Sequence, residues 1–168
     1  MIEGTGQPPL PKPELHNLDP LTARVFQAFS ETFYLQRQAM PRVFAGKGVH
    51  PGEAFCLRLL AKNDGITQHD LADIVHLSRP RVTKILQSLE KEGAIVRRVD
   101  ESDQRLTRVS LTADGRRRES ELRKILESYL SEIIGALSDA DRLELERLLN
   151  VLAERITHVL HGGKEPGL

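Results

Sequence analysis

Apolar side chains recur every three to four residues in six stretches of the chain, which is the spacing of a helix with one buried face. The first stretch follows an Asp19–Pro20 N-cap and stops where Pro41 interrupts it. The second covers residues 53–62, and the third begins at Thr67, where the run TQHD is typical of a capping box. We assign these side chains to the buried faces of the second and third helices: Phe55, Cys56, Leu59, Leu60, Leu71, Ile74 and Val75.

The fourth stretch lies between Ser78 and Gly93 and has clear signals at both ends. Ser78 is a favourable N-cap, Pro80 suits the first turn because its missing N–H is not needed there, and Gly93 is a natural stop. The predicted buried stripe consists of Val82, Ile85, Leu86 and Leu89. The opposite face is polar and cationic, and it consists of Pro80, Lys84, Gln87 and Lys91, flanked by Arg81 and Thr83.

Beyond Gly93 the hydrophobic period changes from helical spacing to two. The alternating runs AIVRRVD and LTRVSLT, joined by ESDQR, predict a two-stranded hairpin with a charged tip. Two further helices follow, and Ser138 caps the second of them. The short third helix, the three-residue turn, the fourth helix and the hairpin together predict a winged helix-turn-helix within a mainly α fold that has a small β-wing.

The charges are unevenly distributed, although the whole chain has 24 Lys and Arg against 24 Asp and Glu. Residues 78–118 hold eleven Lys or Arg and six Asp or Glu, a net charge of +5, whereas residues 119–156 have a net charge of −4. A basic middle and an acidic end indicate a polyanionic partner. No apolar run reaches the roughly 18 residues of a membrane span, so we expect no membrane partner.

Double-stranded DNA is the polyanion that this pattern favours. The N-terminal end of the fourth helix can enter a major groove about 12 Å wide, where its Arg, Lys, Thr and Gln side chains meet base edges and phosphates. At the hairpin tip Arg105 can enter a narrow minor groove, while Asp103 either holds its guanidinium or forms the turn, or does both. The candidate DNA-binding residues are Thr67, Ser78, Arg79, Pro80, Arg81, Thr83, Lys84, Gln87, Arg97, Asp103, Arg105 and Arg108.

Two other interpretations of the cationic helix face remain open. It is either an ordinary solvated face, or part of a winged-helix module that binds another protein and not specific DNA. A protein-binding module should present apolar groups on this face, where the chain has Pro80, Lys84, Gln87 and Lys91. An enzyme is not expected, because no Gly-rich phosphate loop, nucleophile elbow or paired-carboxylate motif is present, and no cofactor is predicted.

From about Asp19 to Leu160 the sequence resembles the MarR family of bacterial transcriptional regulators. The resemblance lies in ITQHDLADIVHLSRPRVTKILQSLEKEGAIVRR and in DESDQRLTRVSLTADG, which looks like the wing signature of the family. It implies a dimeric winged-helix protein on a palindromic operator, with the helix after Ser78 as the recognition helix and Arg105 in the minor groove. His76 departs from the Gly that is usual in the family's turn, and histidine tolerates a positive φ better than β-branched residues do.

Wide apolar stripes outside the winged helix predict a homodimer. A winged-helix core cannot cover the stripes of the first helix and the two last helices, although an intramolecular three-helix pack is the alternative. A twofold dimer would place two recognition helices roughly 34 Å apart, about one turn of DNA. The predicted organisation is a flexible Pro-rich arm (1–18), a helix contributing to dimerisation (19–48), a winged helix-turn-helix domain (49–114), C-terminal dimerisation helices (115–162) and a flexible tail (163–168).

The resemblance also implies control by a small molecule, a metal or oxidation. We expect a repressor that a small apolar or aromatic effector releases from DNA, with a pocket between the winged helix and the dimer helices. The residues assigned to this pocket are Phe29, Phe33, Tyr34 and His50, although core packing explains the aromatic residues equally well.

The single cysteine, Cys56, fits a protein of the reducing cytoplasm. Its position on an apolar helix face favours a small buried hydrophobe over a redox sensor. His158 and His161 are the only histidines with close ligand spacing, but they lie near the end of the last helix, so no metal site is predicted.

Overall fold

The computed structural model describes residues 17–75 and 77–162, so most of the Pro-rich arm, His76 and the tail from residue 163 lie outside the described residues. Within the described residues the fold is mainly helical with one small sheet, as predicted. The elements are α1 (Pro20–Phe44), α2 (Pro51–Lys62), β1 (Ile66–Thr67), α3 (Gln68–Val75), α4 (Arg79–Lys91), β2 (Ile95–Val99), β3 (Thr107–Leu111), α5 (Ala113–Ile134) and α6 (Asp139–Leu160). The chain divides into two compact units, one up to Leu122 and one from Arg123 onward.

Helix α1 begins as predicted but continues past the proline that was expected to end it. The Asp19 carboxylate accepts hydrogen bonds from the amides of Leu21 and Thr22, both at 3.0 Å, which confirms the N-cap. Pro41 lies inside the helix, so the prediction of a break there was wrong. Proline removes one backbone hydrogen bond from a helix interior. Here the loss falls in the last turn, which the buried side chain of Phe44 anchors to the core.

Helix α2 begins earlier than the predicted start at Glu53, because His50 is its N-cap. The ring Nδ1 of His50 accepts the amide proton of Gly52 at 3.0 Å, and the Glu53 carboxylate accepts that of His50 at 3.0 Å. Two assignments to buried faces were wrong, since Phe55 on α2 and Ile74 on α3 are both 47% exposed. The residues that α2 and α3 bury fully are Ala54, Cys56, Leu57, Leu60, Leu71 and Ala72.

The sheet has three antiparallel strands in the order β1-β3-β2, so the predicted hairpin was incomplete. Strands β2 and β3 pair as expected, with Ile95 opposite Leu111 and Arg98 opposite Arg108. The third strand, β1, has only two residues and pairs with β3 just before α3 begins. This pairing joins the wing to the helix-turn-helix through backbone hydrogen bonds.

The core of the first unit lies between α2, α3, α4 and the sheet. Its largest fully buried side chains are Leu57, Leu60, Leu71, Leu86, Leu89, Val82 and Val109. Outside this core, α1 buries only Phe44 and α6 buries no residue. None of the described helices is long and apolar enough to cross a membrane.

Candidate nucleic-acid interface

Helix α4 has the boundaries and the buried stripe that its sequence predicts. Pro80 lies in its first turn, and Val82, Ile85, Leu86 and Leu89 are buried. At its end the amide of Gly93 (φ 73°) donates to the carbonyl of Glu90, and the amide of Ala94 donates to that of Leu89, both at 2.9 Å. These two bonds form a Schellman cap, which needs a residue with positive φ at the position of Gly93.

Ser78 is the N-cap of α4 by position, with the extended backbone expected there (φ −61°, ψ 143°). Its carbonyl accepts hydrogen bonds from the amides of Arg81 (2.9 Å) and Val82 (3.0 Å). The hydroxyl, however, makes no capping hydrogen bond to the described residues. This exposed hydroxyl therefore remains available to an external acceptor such as a phosphate oxygen, whereas the amides of Arg81 and Val82 are already bonded to the Ser78 carbonyl.

The outer face of α4 presents exposed cations. Arg79, Arg81 and Lys84, here called the α4 cations, are exposed, and none forms an ion pair with a described residue. Pro80 and Gln87 are exposed beside them. In contrast, several other arginines are paired, among them Arg117 with Asp114. The face is therefore polar, cationic and unoccupied by the rest of its own domain.

A hydrogen bond between side chains links α4 to the preceding helix. The amide nitrogen Nε2 of Gln68, the first residue of α3, donates to the hydroxyl of Thr83 at 2.8 Å, and this hydroxyl donates to the Arg79 carbonyl at 2.9 Å. Gln68 was not among the predicted residues, because nothing in the local pattern indicates a partner 15 positions away. The link fixes Thr83 at the edge of the cationic face.

Thr67 is nearly buried at the end of β1, directly before α3. Its side chain is 8% exposed, its hydroxyl donates to the Asp70 carboxylate at 2.7 Å, and it accepts the Asp70 amide proton at 3.1 Å. This confirms the predicted capping interaction at the start of α3. Since both functions of the hydroxyl are used, Thr67 supports the helix-turn-helix from within.

The tip of the wing presents Arg105, and the neighbouring Asp103 carboxylate holds its guanidinium in place. The Arg105 side chain is 89% exposed, and its Nε and Nη2 donate to the two carboxylate oxygens of Asp103 at 3.0 and 3.1 Å. The backbone amide of Arg105 donates to the same Asp103 at 3.0 Å, so the carboxylate both forms the turn and orients the guanidinium. The Arg105 guanidinium and amide hold the pKa of Asp103 below its usual range.

A second carboxylate, Asp100, lies at the base of the wing and is only 6% exposed. It accepts hydrogen bonds from the hydroxyl and amide of Ser102, from the amide of Asp103 at 2.8 Å and from Nε of Arg108. These donors, the Ser102 hydroxyl first, hold the pKa of Asp100 well below its usual range. Arg108 was predicted to contact DNA, and the structure places it in this network. Asp100 was not predicted.

The two arginines at the end of β2 differ in their surroundings. Arg97 donates through Nε to the Glu90 carboxylate at 2.9 Å, and the bond lowers the pKa of Glu90 and ties β2 to α4. Arg98, which was not among the predicted residues, is exposed and has no ion-pair partner in the described part of the chain. Its position opposite Arg108 in the sheet could not be seen without the strand register.

The start of α4 and the wing tip face a common recess. Gln68 and His69 of α3, Arg79 of α4 and Arg105 with Thr107 of the wing all line this recess, whose volume is about 200 Å³. Two arginines from elements far apart in the sequence therefore line the same recess. Such an arrangement suits a negatively charged ligand that spans both elements.

The residues assigned to an effector pocket do not share one environment. Phe29 and Phe33 are exposed on α1, Tyr34 is half-buried, and His50 caps α2. Cys56 is fully buried, as expected, and burial together with the nearby Glu53 charge raises its pKa to about 11. Among the described residues, no three His, Cys, Asp or Glu side chains are grouped to hold a metal ion.

Comparison with known proteins places the site in a family. The MarR family model matches residues 49–107. The chain is 35% identical to the HTH-type transcriptional regulator FarR of Neisseria gonorrhoeae over 98 residues, which cover 58% of this chain and 67% of FarR. It is 34% identical to the HTH-type transcriptional regulator YdgJ of Bacillus subtilis over 106 residues, 63% of each chain.

The fold agrees with these sequence matches. The structure of the S. aureus MepR–DNA complex superposes with a TM-score of 0.68 at 21% identity, over 80% of this chain and 97% of MepR. The family model covers the helix-turn-helix and the wing tip described above, which are the elements that carry the exposed cations. The chain belongs to the MarR family of winged helix-turn-helix transcriptional regulators.

Proposed function

We propose that this chain acts as a homodimeric, sequence-specific DNA-binding repressor on a palindromic operator. In this proposal α4 enters the major groove and Arg105 enters the adjacent minor groove. The observation that supports it best is the recess that Arg79 of α4 and Arg105 of the wing both line. MepR, which shares the fold, has been solved in complex with DNA. Members of the MarR family are transcriptional regulators and not enzymes, so no catalytic role is proposed.

The α4 face divides into groups for phosphates and groups for bases. Arg79 and the Ser78 hydroxyl lie at the helix N-terminus, where the helix dipole favours a phosphate oxygen. Lys84 and Gln87 lie further along the exposed face, where a lysine suits guanine and a glutamine suits adenine. We assign positioning on the backbone to the first group and sequence discrimination to the second.

Dimerisation is proposed because the helices outside the winged helix leave apolar side chains uncovered in a single copy. On α6 the side chains of Leu145, Leu148, Leu149 and Leu152 are each between 40% and 45% exposed. On α1 the exposed apolar side chains are Leu21, Val25, Phe26, Phe29 and Phe33. Surfaces of this kind are typical of protein interfaces and not of a monomer.

The proposal includes release of the protein from DNA by a small apolar or aromatic effector. It rests on the aromatic side chains of α1, where Phe29 and Phe33 are exposed and Tyr34 is half-buried. A screen of aromatic acids and related compounds by thermal shift, followed by displacement of bound DNA, tests this part separately. Compounds that stabilise the protein without weakening its binding to DNA would contradict it.

In vitro selection from a random duplex pool with the full chain tests the main proposal. We expect an inverted repeat with half-sites about 10 base pairs apart, bound by a species of twice the chain mass in light scattering. If Arg79 and Arg81 of each copy contact phosphates, log K against log salt should have a slope of about −4, since each contact adds about −0.9. A monomer, or a slope near zero, would contradict the proposal.

A charge-matched pair of variants controls for loss of positive charge alone. Lys84→Gln should weaken binding of the selected duplex, because Lys84 belongs to the group proposed to contact bases. Lys124→Gln removes the same charge from an exposed position on α5 and should leave the selected duplex bound as in wild type. Equal effects of the two variants would show that binding depends on net charge and not on α4.

A further inference from the structure

The wing turn, residues 100–106, is organised around one buried carboxylate. Both oxygens of Asp100 are used: Oδ1 accepts from the amides of Ser102 (2.9 Å) and Asp103 (2.8 Å) and from the Ser102 hydroxyl, and Oδ2 accepts from Arg108. The backbone closes the same turn, since the amide of Asp100 donates to the Leu106 carbonyl at 2.9 Å. Asp100 therefore accepts hydrogen bonds from three donors of the turn itself and from Arg108 beyond it.

Arg108 connects the wing turn to the helix-turn-helix through hydrogen bonds. While its Nε donates to Asp100, its Nη1 donates to the carbonyl of Gly65 at 2.9 Å, 43 positions earlier in the chain. Gly65 precedes β1 and donates its amide to the Val109 carbonyl at 3.1 Å. One guanidinium thus bridges the wing turn and the segment that leads into α3.

On its other side Asp100 is connected to the tip arginine. The amide of Asp103 donates to Asp100, and the carboxylate of Asp103 holds the Arg105 guanidinium through two hydrogen bonds. A continuous chain of hydrogen bonds therefore runs from Arg105 through Asp103, Asp100 and Arg108 to Gly65. Each bond in it can be broken by one substitution.

We propose that Asp100 is a positioning residue for DNA recognition, which holds the wing tip in register with α4 so that Arg105 reaches the minor groove while α4 occupies the major groove. The proposal rests on the DNA-binding function proposed above. It concerns a residue that is buried and does not itself touch DNA. Its physical basis is pre-organisation: a tip that is already in place loses less conformational entropy on binding.

The sign of the effect separates positioning from simple electrostatics. Removing a negative charge from a surface that faces a polyanion should strengthen binding if charge alone matters. Removing the carboxylate that holds the wing turn should weaken binding if positioning matters. Asparagine is close to aspartate in shape but carries no charge. In Asp100→Asn, electrostatics alone therefore predicts stronger binding, whereas loss of positioning predicts weaker binding.

The experiment measures binding of the selected operator duplex by wild type, Asp100→Asn, Arg105→Ala and the double variant. We expect Arg105→Ala to lose about tenfold in affinity, Asp100→Asn to lose several-fold, and the double variant to lose no more than Arg105→Ala alone. This coupling is the readout that a general loss of stability would not give, because destabilisation would add to the effect of Arg105→Ala.

Glu92→Gln is the matched control. Glu92 also carries one negative charge and pairs with an arginine, Arg118, at 2.7 Å, but it lies at the C-terminal end of α4. We expect its affinity for the duplex to equal or slightly exceed that of wild type. An Asp100→Asn affinity that matches this control would overturn the proposal, as would additive effects of Asp100→Asn and Arg105→Ala.

Hydrogen exchange of the free protein provides a measurement that does not depend on DNA. Amides of the wing turn should exchange faster in Asp100→Asn than in wild type, while those of α4 should be unchanged. If Asp100→Asn does not fold, Ser102→Ala removes the hydroxyl donor alone and should show the same two effects at smaller size. Unchanged exchange in the wing turn would overturn the proposal in either variant.

The outcomes for Arg105 and Asp100 distinguish this inference from the proposed function. If Arg105→Ala binds the duplex as wild type does, the minor-groove role of Arg105 fails and this inference fails with it. If Arg105→Ala weakens binding but Asp100→Asn does not, the proposed function stands and only the role of Asp100 is rejected.

Discussion

Gly115, in the first turn of α5, occupies a position where no side chain fits. A Cβ atom built there would lie 1.9 Å from the carbonyl oxygen of Ala94 and 2.9 Å from its carbonyl carbon. The approach is held by Thr112, whose hydroxyl donates to the carbonyl of Gly93 at 2.6 Å and accepts the Gly115 amide proton at 3.0 Å. Because the obstructing atoms belong to the backbone, no side-chain rotation can relieve the overlap.

We therefore predict that Gly115→Ala destabilises the winged helix. Overpacking of a tight site costs up to about 3 kcal/mol, and alanine recovers about 1 kcal/mol over glycine in a helix. The net loss of about 2 kcal/mol should lower Tm by about 4–8 °C in a chain of this length. The energetic cost of overpacking should lie at the upper end of this range, because the contact is with a backbone carbonyl group and not with a flexible side chain.

Urea and thermal unfolding followed by circular dichroism, at one fixed protein concentration, measure this effect. Gly46→Ala is the control, since a Cβ atom at Gly46 meets nothing within 4 Å and its φ is not positive. We expect Gly46→Ala to stay within about 0.5 kcal/mol of wild type. If Gly115→Ala were as stable as Gly46→Ala, this result would refute the close contact between Gly115 and the Ala94 carbonyl.

Two further predictions concern ionisable groups. Burial raises the pKa of Cys56 from 9.0 to about 11. Its thiol should therefore react with Ellman's reagent at pH 8 about a hundredfold more slowly in the native protein than in urea. A native rate close to the rate in urea would favour the redox-sensor interpretation instead. Asp100 has a lowered pKa, so it contributes stability above its unfolded pKa of about 4 and loses that contribution as the pH falls. The difference in unfolding free energy between wild type and Asp100→Asn should narrow from pH 6 to pH 3, and a constant difference would contradict the assignment.

The sequence predicted best where local rules and tertiary packing agree. The buried stripe of α4, its Schellman stop at Gly93 and the pairing of β2 with β3 all follow from short-range patterns and appear in the structure. The pairing of Asp103 with Arg105 also followed from their spacing of two residues. In each case the interacting groups are neighbours along the chain or lie in one hairpin.

Predictions failed where the deciding contact lies far away in the sequence. The strand β1 has two residues and exists because β3 pairs with it, so no periodicity could reveal it. The burial of Phe44 extends α1 past Pro41, which local rules treat as a stop. On α2 the residues 54–57 and 59–60 are all apolar, so the sequence does not define which side faces the core, and Phe55 was misassigned.

The candidate site shows the same contrast between features that local sequence predicts and contacts that are distant in the sequence. Its exposed cations could be recognised from their helix face, whereas the residues that hold them in place could not. Gln68 bonds to Thr83 across 15 positions, and Arg108 bonds to Gly65 across 43 positions. A sequence therefore identifies groups that face a partner more readily than the internal bonds that orient those groups.

The charge pattern becomes informative once internal partners are taken into account. In α5 and α6 arginines have carboxylates three residues away, as in Arg117 with Asp114 and Arg147 with Glu144. No Asp or Glu lies within four residues of any of the α4 cations, so the helix offers them no such pair. An exposed cation without a partner can neutralise a phosphate, and the free energy then comes mainly from release of the counterions that had condensed on the nucleic acid. A chain with no net charge can therefore hold a strongly cationic surface, because its acidic residues pair with arginines such as Arg117 and Arg147, while the described residues form no ion pair with the α4 cations.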